Sequence, residues 1–311
     1  WTGPKATQER VITRELPEPG TIYNDRTFRG ALESIRGQSL VKINDVTIKA
    51  ADPAKPENLT YIINVSEISG NRSFQPALTY DTLNGFSGSL GLENNNLFGL
   101  GHNLNASLSA SPNDAGEVVS ANIEYKIPWI DIDFADFRKN RTSAGLSLSS
   151  TVSGKNALLD AAGTDSGRDY SVRQTGFGVT VGRQLIPNLI VSASVNTSYN
   201  TYTLEKQTKT DVSTTDEVAM ALVPPNSLTT LLGVGASYGN TNSAVFPTQG
   251  FRANASAAYG FGSSGATPLS WTKLEGGAST YFGLGQTLDK GFGAQQRQQV
   301  RQRAGAAHVD G

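Results

Sequence analysis

Val119-Ser120-Ala121-Asn122-Ile123-Glu124-Tyr125-Lys126-Ile127 is the stretch that decides the fold. Val119, Ala121, Ile123, Tyr125 and Ile127 alternate with Ser120, Asn122, Glu124 and Lys126. Successive side chains of an extended chain point to opposite faces, so this segment offers one apolar face and one that suits water. The same alternation runs through Val191–Tyr199, Leu232–Tyr238 and Phe251–Phe261. Ser73–Asp81, Gly85–Leu92, Asn103–Ala110, Thr142–Ser149, Thr175–Arg183 and Leu269–Phe282 read as further strands. That makes about ten strands, each near the roughly 9–11 residues that a tilted membrane strand requires. Pro187-Asn188 and Asn94–Gly101 read as compact connections, Ser150–Asp169 and Glu205–Asn226 as long polar loops. Short turns on one side and long loops on the other are the habit of transmembrane barrels.

A soluble β-sandwich with one wet face would show the same alternation. Two features favour a barrel. The polar face is crowded with Gly and Ser rather than Lys and Glu. Trp129, Tyr125, Tyr199, Tyr202, Phe251, Tyr259 and Phe261 gather near strand ends, where aromatic girdles sit at membrane interfaces.

Upstream of Gly70 the texture changes. Gln8–Leu16 carries Val11, Ile12 and Leu16 at helical spacing before Pro17, and Asn24 caps a second helix with Phe28, Leu32 and Ile35 on one face and Gly37 at its end. Two strands follow, Ile43–Lys49 and Leu59–Val65, and the apolar run Ile62, Ile63, Val65 is read as completing a small α+β core.

Composition narrows the function. Lys+Arg 26 against Asp+Glu 27 over 311 residues gives a net charge of −1, which leaves nucleic acid no electrostatic footprint. Mean hydropathy is −0.30 and no apolar run approaches the roughly 18 residues of a membrane helix, but barrel strands look hydrophilic on average. There is no cysteine, so disulfides and thiolate chemistry are out. The chain starts at Trp1, so a signal peptide would lie upstream. His102 and His308 are far apart in sequence, Gly99-Leu100-Gly101 reads as a tight turn rather than a phosphate loop, and Asp131, Asp133 and Asp136 beside Arg138, Lys139 and Arg141 read as a charged turn rather than a cation site. The chain is read as neither an enzyme nor a cofactor or metal carrier.

Several short motifs, in order, resemble the Omp85 superfamily, in particular its BamA-like outer-membrane assembly factors. Thr2-Gly3, the Val11–Leu16 helix, Pro19-Gly20, Tyr23-Asn24 and the Val65–Glu67 strand are similar to the family's last POTRA domain. Tyr80-Asp81 with Gly85, the turn Asn94–Gly101 (with Asn95, Asn96, Leu97, Phe98, Gly99 and Gly101), Pro128-Trp129, and Phe246-Pro247 through Gly250 to Phe251-Arg252 are similar to its surface-antigen barrel. The resemblance implies a POTRA-like periplasmic domain over residues 1–69 with its first strand truncated, and a partial antiparallel barrel over 70–288. The family's barrel has roughly sixteen strands and a VRGF-type arginine motif on a lumenal loop, which are not found here. Residues 289–311 read as an atypical, disordered tail.

The implied activity is folding and insertion of outer-membrane β-barrel proteins by strand augmentation at a lateral seam. The seam falls on Ser73, Phe74, Gln75, Ala77, Leu78, Thr79, Tyr80 and Asp81, with Pro76 removing one donor. The implied partners are unfolded outer-membrane proteins, periplasmic accessory proteins at the POTRA-like domain, and outer-membrane lipid. The implied place is the bacterial outer membrane, with the N-terminal domain in the periplasm. Alternatives are a secretion pore of the superfamily (two-partner or TamA-like) and a passive porin or structural envelope barrel.

Overall fold

Two runs of antiparallel pairing organise the chain, which was analysed as a computed structural model describing residues 6–52, 55–82, 85–113, 116–132, 136–137, 140–160, 162–206, 215–242 and 247–282. The N-terminal part is short helix α1 (Glu9–Thr13), α2 (Asp25–Gly37) and the hairpin β1 (Val41–Asp52) and β2 (Lys55–Glu67). Helix α2 starts where expected, because Asn24 Oδ1 accepts from the backbone N–H of Arg26 and Thr27 at 3.0 and 3.2 Å. Val11, Ile12, Ile35, Leu40 and Val41 form a buried core, with Leu16, Ile43 and Val65 packed against it. Burial of these side chains supplies the stabilisation of this module.

One expectation fails in the hairpin. The register pairs Ile43 with Val65, Val46 with Ile63 and Ile48 with Tyr61, so those residues share the face turned to the helices, and Tyr61 stacks on Phe28 at 4.5 Å. Ile62 pairs with Thr47 on the other face and is 45% exposed, so it completes no core. A continuous apolar run in a two-stranded sheet covered on one side must send alternate residues outward.

The second run is a ten-stranded antiparallel meander in sequence order: β3 (Arg72–Asp81), β4 (Gly85–Leu97), β5 (His102–Asn113), β6 (Gly116–Ile127), β7 (Thr142–Leu159), β8 (Asp165–Ile186), β9 (Leu189–Leu204), β10 (Ser227–Gly239), β11 (Gly250–Ser264) and β12 (Thr267–Tyr281). Its two faces differ along β3 to β11, while β12 places Leu269 and Trp271 on the otherwise small, polar face. One row across the sheet reads Phe74, Leu92, Ala106, Ile123, Leu148, Phe177, Thr197, Thr230, Phe261, Ser270. The adjacent row, on the opposite face, reads Gln75, Gly91, Ser107, Asn122, Ser149, Gly176, Ser198, Thr229, Gly262, Leu269. The first face carries exposed Phe74, Leu92, Ile123, Leu148, Phe177 and Phe261, an apolar belt with nothing packed on it among the described residues. Such a belt on one face and a small, polar second face is the pattern of a barrel wall between lipid and lumen.

The Gly and Ser of the inner face interlock. A Cβ at Gly176 or Gly178 would lie 2.5 or 2.4 Å from the hydroxyls of Ser149 or Ser147 on the neighbouring strand. This face is therefore crowded at those positions, and only a residue without a Cβ fits beside the serine hydroxyls.

Strands β7 and β8 correct the expected loop Ser150–Asp169, most of which is a continuation of the hairpin. Beyond the belt both faces meet water, so the strands go on without the alternation that marks them in sequence. Of the second loop, Asp216–Leu222 is a helix, α3, tied to β8 by Arg168 Nη1 donating to Asp216 Oδ1 at 2.6 Å.

Candidate functional site

Three parts of the molecule carry the residues singled out in the sequence: the free edge of the sheet, the turn between β4 and β5, and the strand ends that face the N-terminal module.

Strand β3 is one edge of the meander; its sole partner among the described residues is β4, and it does not meet the opposite edge, β12. Ser73, Gln75, Ala77 and Thr79 lie on the inner face, and Phe74, Leu78 and Tyr80 on the outer, where Leu78 is 76% exposed. Ser73 Oγ donates to Glu93 at 3.4 Å, and Gln75 Nε2 donates to Ser73 Oγ at 3.1 Å. Tyr80 tilts against Phe86 at 4.9 Å, and the Asp81 backbone pairs with Gly85. Pro76 sits opposite Leu90; without an N–H it is tolerated at an edge and shortens the row of donors that an added strand could use.

The turn Asn94–Gly101 does more than reverse the chain. Phe98, Gly99 and Gly101 all have positive φ, which brings the Asn96 side chain back under the turn, where its Oδ1 accepts from Gly101 N at 2.9 Å. Asn95 Nδ2 donates to Glu93 at 2.7 Å, and Leu97 pairs with His102 at the end of the hairpin. The other end of the Asn96 amide donates to Thr7 Oγ1 at 2.8 Å, and Thr7 donates to Glu67 at 2.9 Å. Gln8 N donates to Gly99 O at 2.8 Å and Gln8 Nε2 to Phe98 O at 3.0 Å. A Cβ on Gly99 would lie 2.1 Å from Ala6 O, so the close approach itself demands glycine. The motif is the socket in which the N-terminal module sits.

Pro128-Trp129 forms the second contact. Trp129 is 8% exposed and its Nε1 donates to Phe137 O at 2.9 Å. The guanidinium carbons of Arg14 and Arg141 stand 5.4 and 5.9 Å from its ring centre, and Arg14 Nη1 donates to Trp129 O at 3.4 Å. Burial pushes the Arg14 guanidinium below its ordinary value; nearby Glu15 opposes this and Arg141 adds to it. Arg10 bridges Asp131 at 3.3 Å. Asp131 of the charged turn thus holds the module; Asp133, Arg138 and Lys139 lie outside the described residues.

Of the remaining motif, Phe246 lies outside the described residues, as do Thr2, Gly3 and His308. Pro247 leads to Gly250, whose positive φ and close approach to Asn240 O fix the start of β11. Asn242 Oδ1 accepts from the N–H of Thr248 and Gln249 at 3.0 and 3.1 Å. These motif residues build a turn apart from the socket. Arg10 was not singled out by sequence, and Glu67 was read only as the end of a strand motif; an arginine on a helix and an aspartate 121 positions later carry no local signal of pairing.

The fold and the two-faced sheet define an antiparallel β-barrel of the outer-membrane kind, its wall incomplete between β3 and β12. The sequence profile of the Omp85 superfamily domain matches residues 96–310, and the chain belongs to that superfamily. The match runs past Leu284, where the motif-by-motif resemblance stops. No curated protein matches the chain. Among solved structures it is similar to BamA from Haemophilus ducreyi lacking POTRA domains 1–3, at 15% identity and a TM-score of 0.53, covering 90% of this chain and 54% of that one. It is also similar to CdiB from Acinetobacter baumannii, at 17% identity and a TM-score of 0.56, covering 88% and 47%. The chain thus spans about half the length of each.

Proposed function

We propose that this chain is the module-and-seam part of an outer-membrane protein assembly factor, in which β3 offers its free backbone edge to an incoming strand. The observation that carries the reading is Pro76 in β3, the first strand of a sheet whose outer face is an apolar belt: whichever strand lies beside β3, one of its ladder donors is missing. In lipid an unsatisfied N–H or C=O costs several kcal/mol, so a strand entering the membrane is stabilised by pairing as it arrives. The edge supplies those partners, and the Pro76 gap keeps the pairing from becoming permanent. The module, held at the turn between β4 and β5, would stand on the periplasmic side and present the free edges of β1 and β2 to accessory proteins. The role is one of binding and templating, without catalysis.

A secretion pore passing one partner protein is the second reading, favoured by the likeness of the fold to CdiB. A photo-crosslinking residue at Thr79, in the complete protein in cells, separates the two. Assembly predicts adducts with several unfolded outer-membrane proteins at Thr79 and few at mid-sheet Ser149. A single adducted species at lumenal positions such as Asn122, with none at Thr79, would leave the secretion pore standing instead.

A further inference from the structure

Where the module meets the inner face of the sheet there is a cavity of about 180 Å³, far above the ~10–15 Å³ that one water needs. Arg14, Arg141 and Lys126 line it, together with Gln38, Asn95 and Asn103. Lys126 and Asn103 pair in the β5–β6 register on the inner face, so the cavity opens at the mouth of the lumen, away from the lipid belt. Among the described residues no carboxylate lines it.

Most acids nearby are already engaged, and Glu124 lies two residues from Lys126 on the same face of β6. Glu15 accepts from Gln38 and stands 3.8 Å from Arg141, Asp131 bridges Arg10, and Glu93 accepts from Asn95 and Ser73. Lys126 is in no ion pair among the described residues, and Arg14 Nε is buried with no hydrogen-bond partner. Three cations against Glu15, which contacts Arg141, and Glu124, which shares a face with Lys126, leave about one positive charge around one polar space, and partly buried charge is costly until it is paired.

We infer that this cavity binds a phosphate-type oxyanion. Two guanidinium forks and one ammonium offer more donors than the two oxygens of a carboxylate can take, and suit the oxygens of a phosphate group. The anion would sit between α1 and the ends of β5 and β6, and so hold the module to the rim by charge in addition to the Asn96 socket.

The test is titration calorimetry of the complete protein in uncharged maltoside micelles at fixed ionic strength. The arms are inorganic phosphate, dihexanoylphosphatidic acid and acetate, with Lys126→Gln and Arg141→Gln as variants whose folding is checked by circular dichroism. Saturable 1:1 phosphate binding is expected, weakened about tenfold in each variant, with acetate at least about tenfold weaker than phosphate. Tighter binding of the phosphatidic acid identifies a lipid headgroup as the source, and equal or weaker binding identifies the free ion. Absence of saturable phosphate binding, binding that both folded variants retain, or acetate binding as tightly as phosphate would each overturn the assignment.

Discussion

The N-terminal module and the ten-stranded sheet solve the same problem in opposite directions. In the module, Val11, Ile12, Phe28, Leu32, Ile35, Leu40 and Val41 are buried within it, while the sheet region, with five times as many strands, buries little apolar surface among its described residues beyond Trp129, Leu158 and Ala219 and turns its Phe, Leu and Ile outward. The first is a water-soluble protein in miniature, driven by removing apolar surface from water. The second is held by its ladders, and its apolar residues find their partner in lipid. A hydrophobic residue therefore means opposite things on the two sides of Gly70.

Substitutions chosen across that divide test it. The largest effect is expected from Ile35→Ala, at 1% exposure in the module core: a loss of ~2–5 kcal/mol in denaturant unfolding of the module, with heat-modifiability of the sheet unchanged. Concerted loss of both would show that the two do not behave as separate regimes. On the sheet, Ile123→Arg in the apolar row should cost ~2–4 kcal/mol in bilayers, whereas Asn122→Arg, one residue away on the inner face, should cost far less. Equal effects would break the assignment of faces. Asn24→Ala removes the cap of α2 and should cost about 1 kcal/mol, read in the module alone.

The smallest effect concerns pH. Hydrogen bonds from Arg29 and then Tyr23 hold the Asp25 carboxyl below its ordinary value. Its folded pKa is the lower one, so its contribution is present above the usual carboxylate range and fades as pH falls through the folded value. The stability gap between the protein and Asp25→Asn should narrow on titration from neutral to acid pH, and a gap that widens would reverse the sign.

The strands were legible because water and lipid demand opposite side chains from alternate positions, and Val119–Ile127 obeys at every residue. The same rule hid the outer halves of β7 and β8: past the belt, Lys155 and Asn156 are followed by Ala157 and Leu158 with no period to read. Helix α3 was missed because its seven residues make less than two turns, too few to show a helical period within a long polar connection. The socket could be recognised as a motif but not as a contact, since the Asn96 to Thr7 bond joins residues 89 apart. Local patterning reports on solvent; it is silent about which distant backbone a side chain will meet.

The Asn96 socket has a mechanical consequence. Asn96 closes β4, and β4 is the strand on which the free edge hangs. Torque on the module is thus delivered one ladder away from β3, like a handle set beside a hinge. A rotation of the module about this contact is therefore felt at β4 and β3 before it reaches the far strands of the sheet.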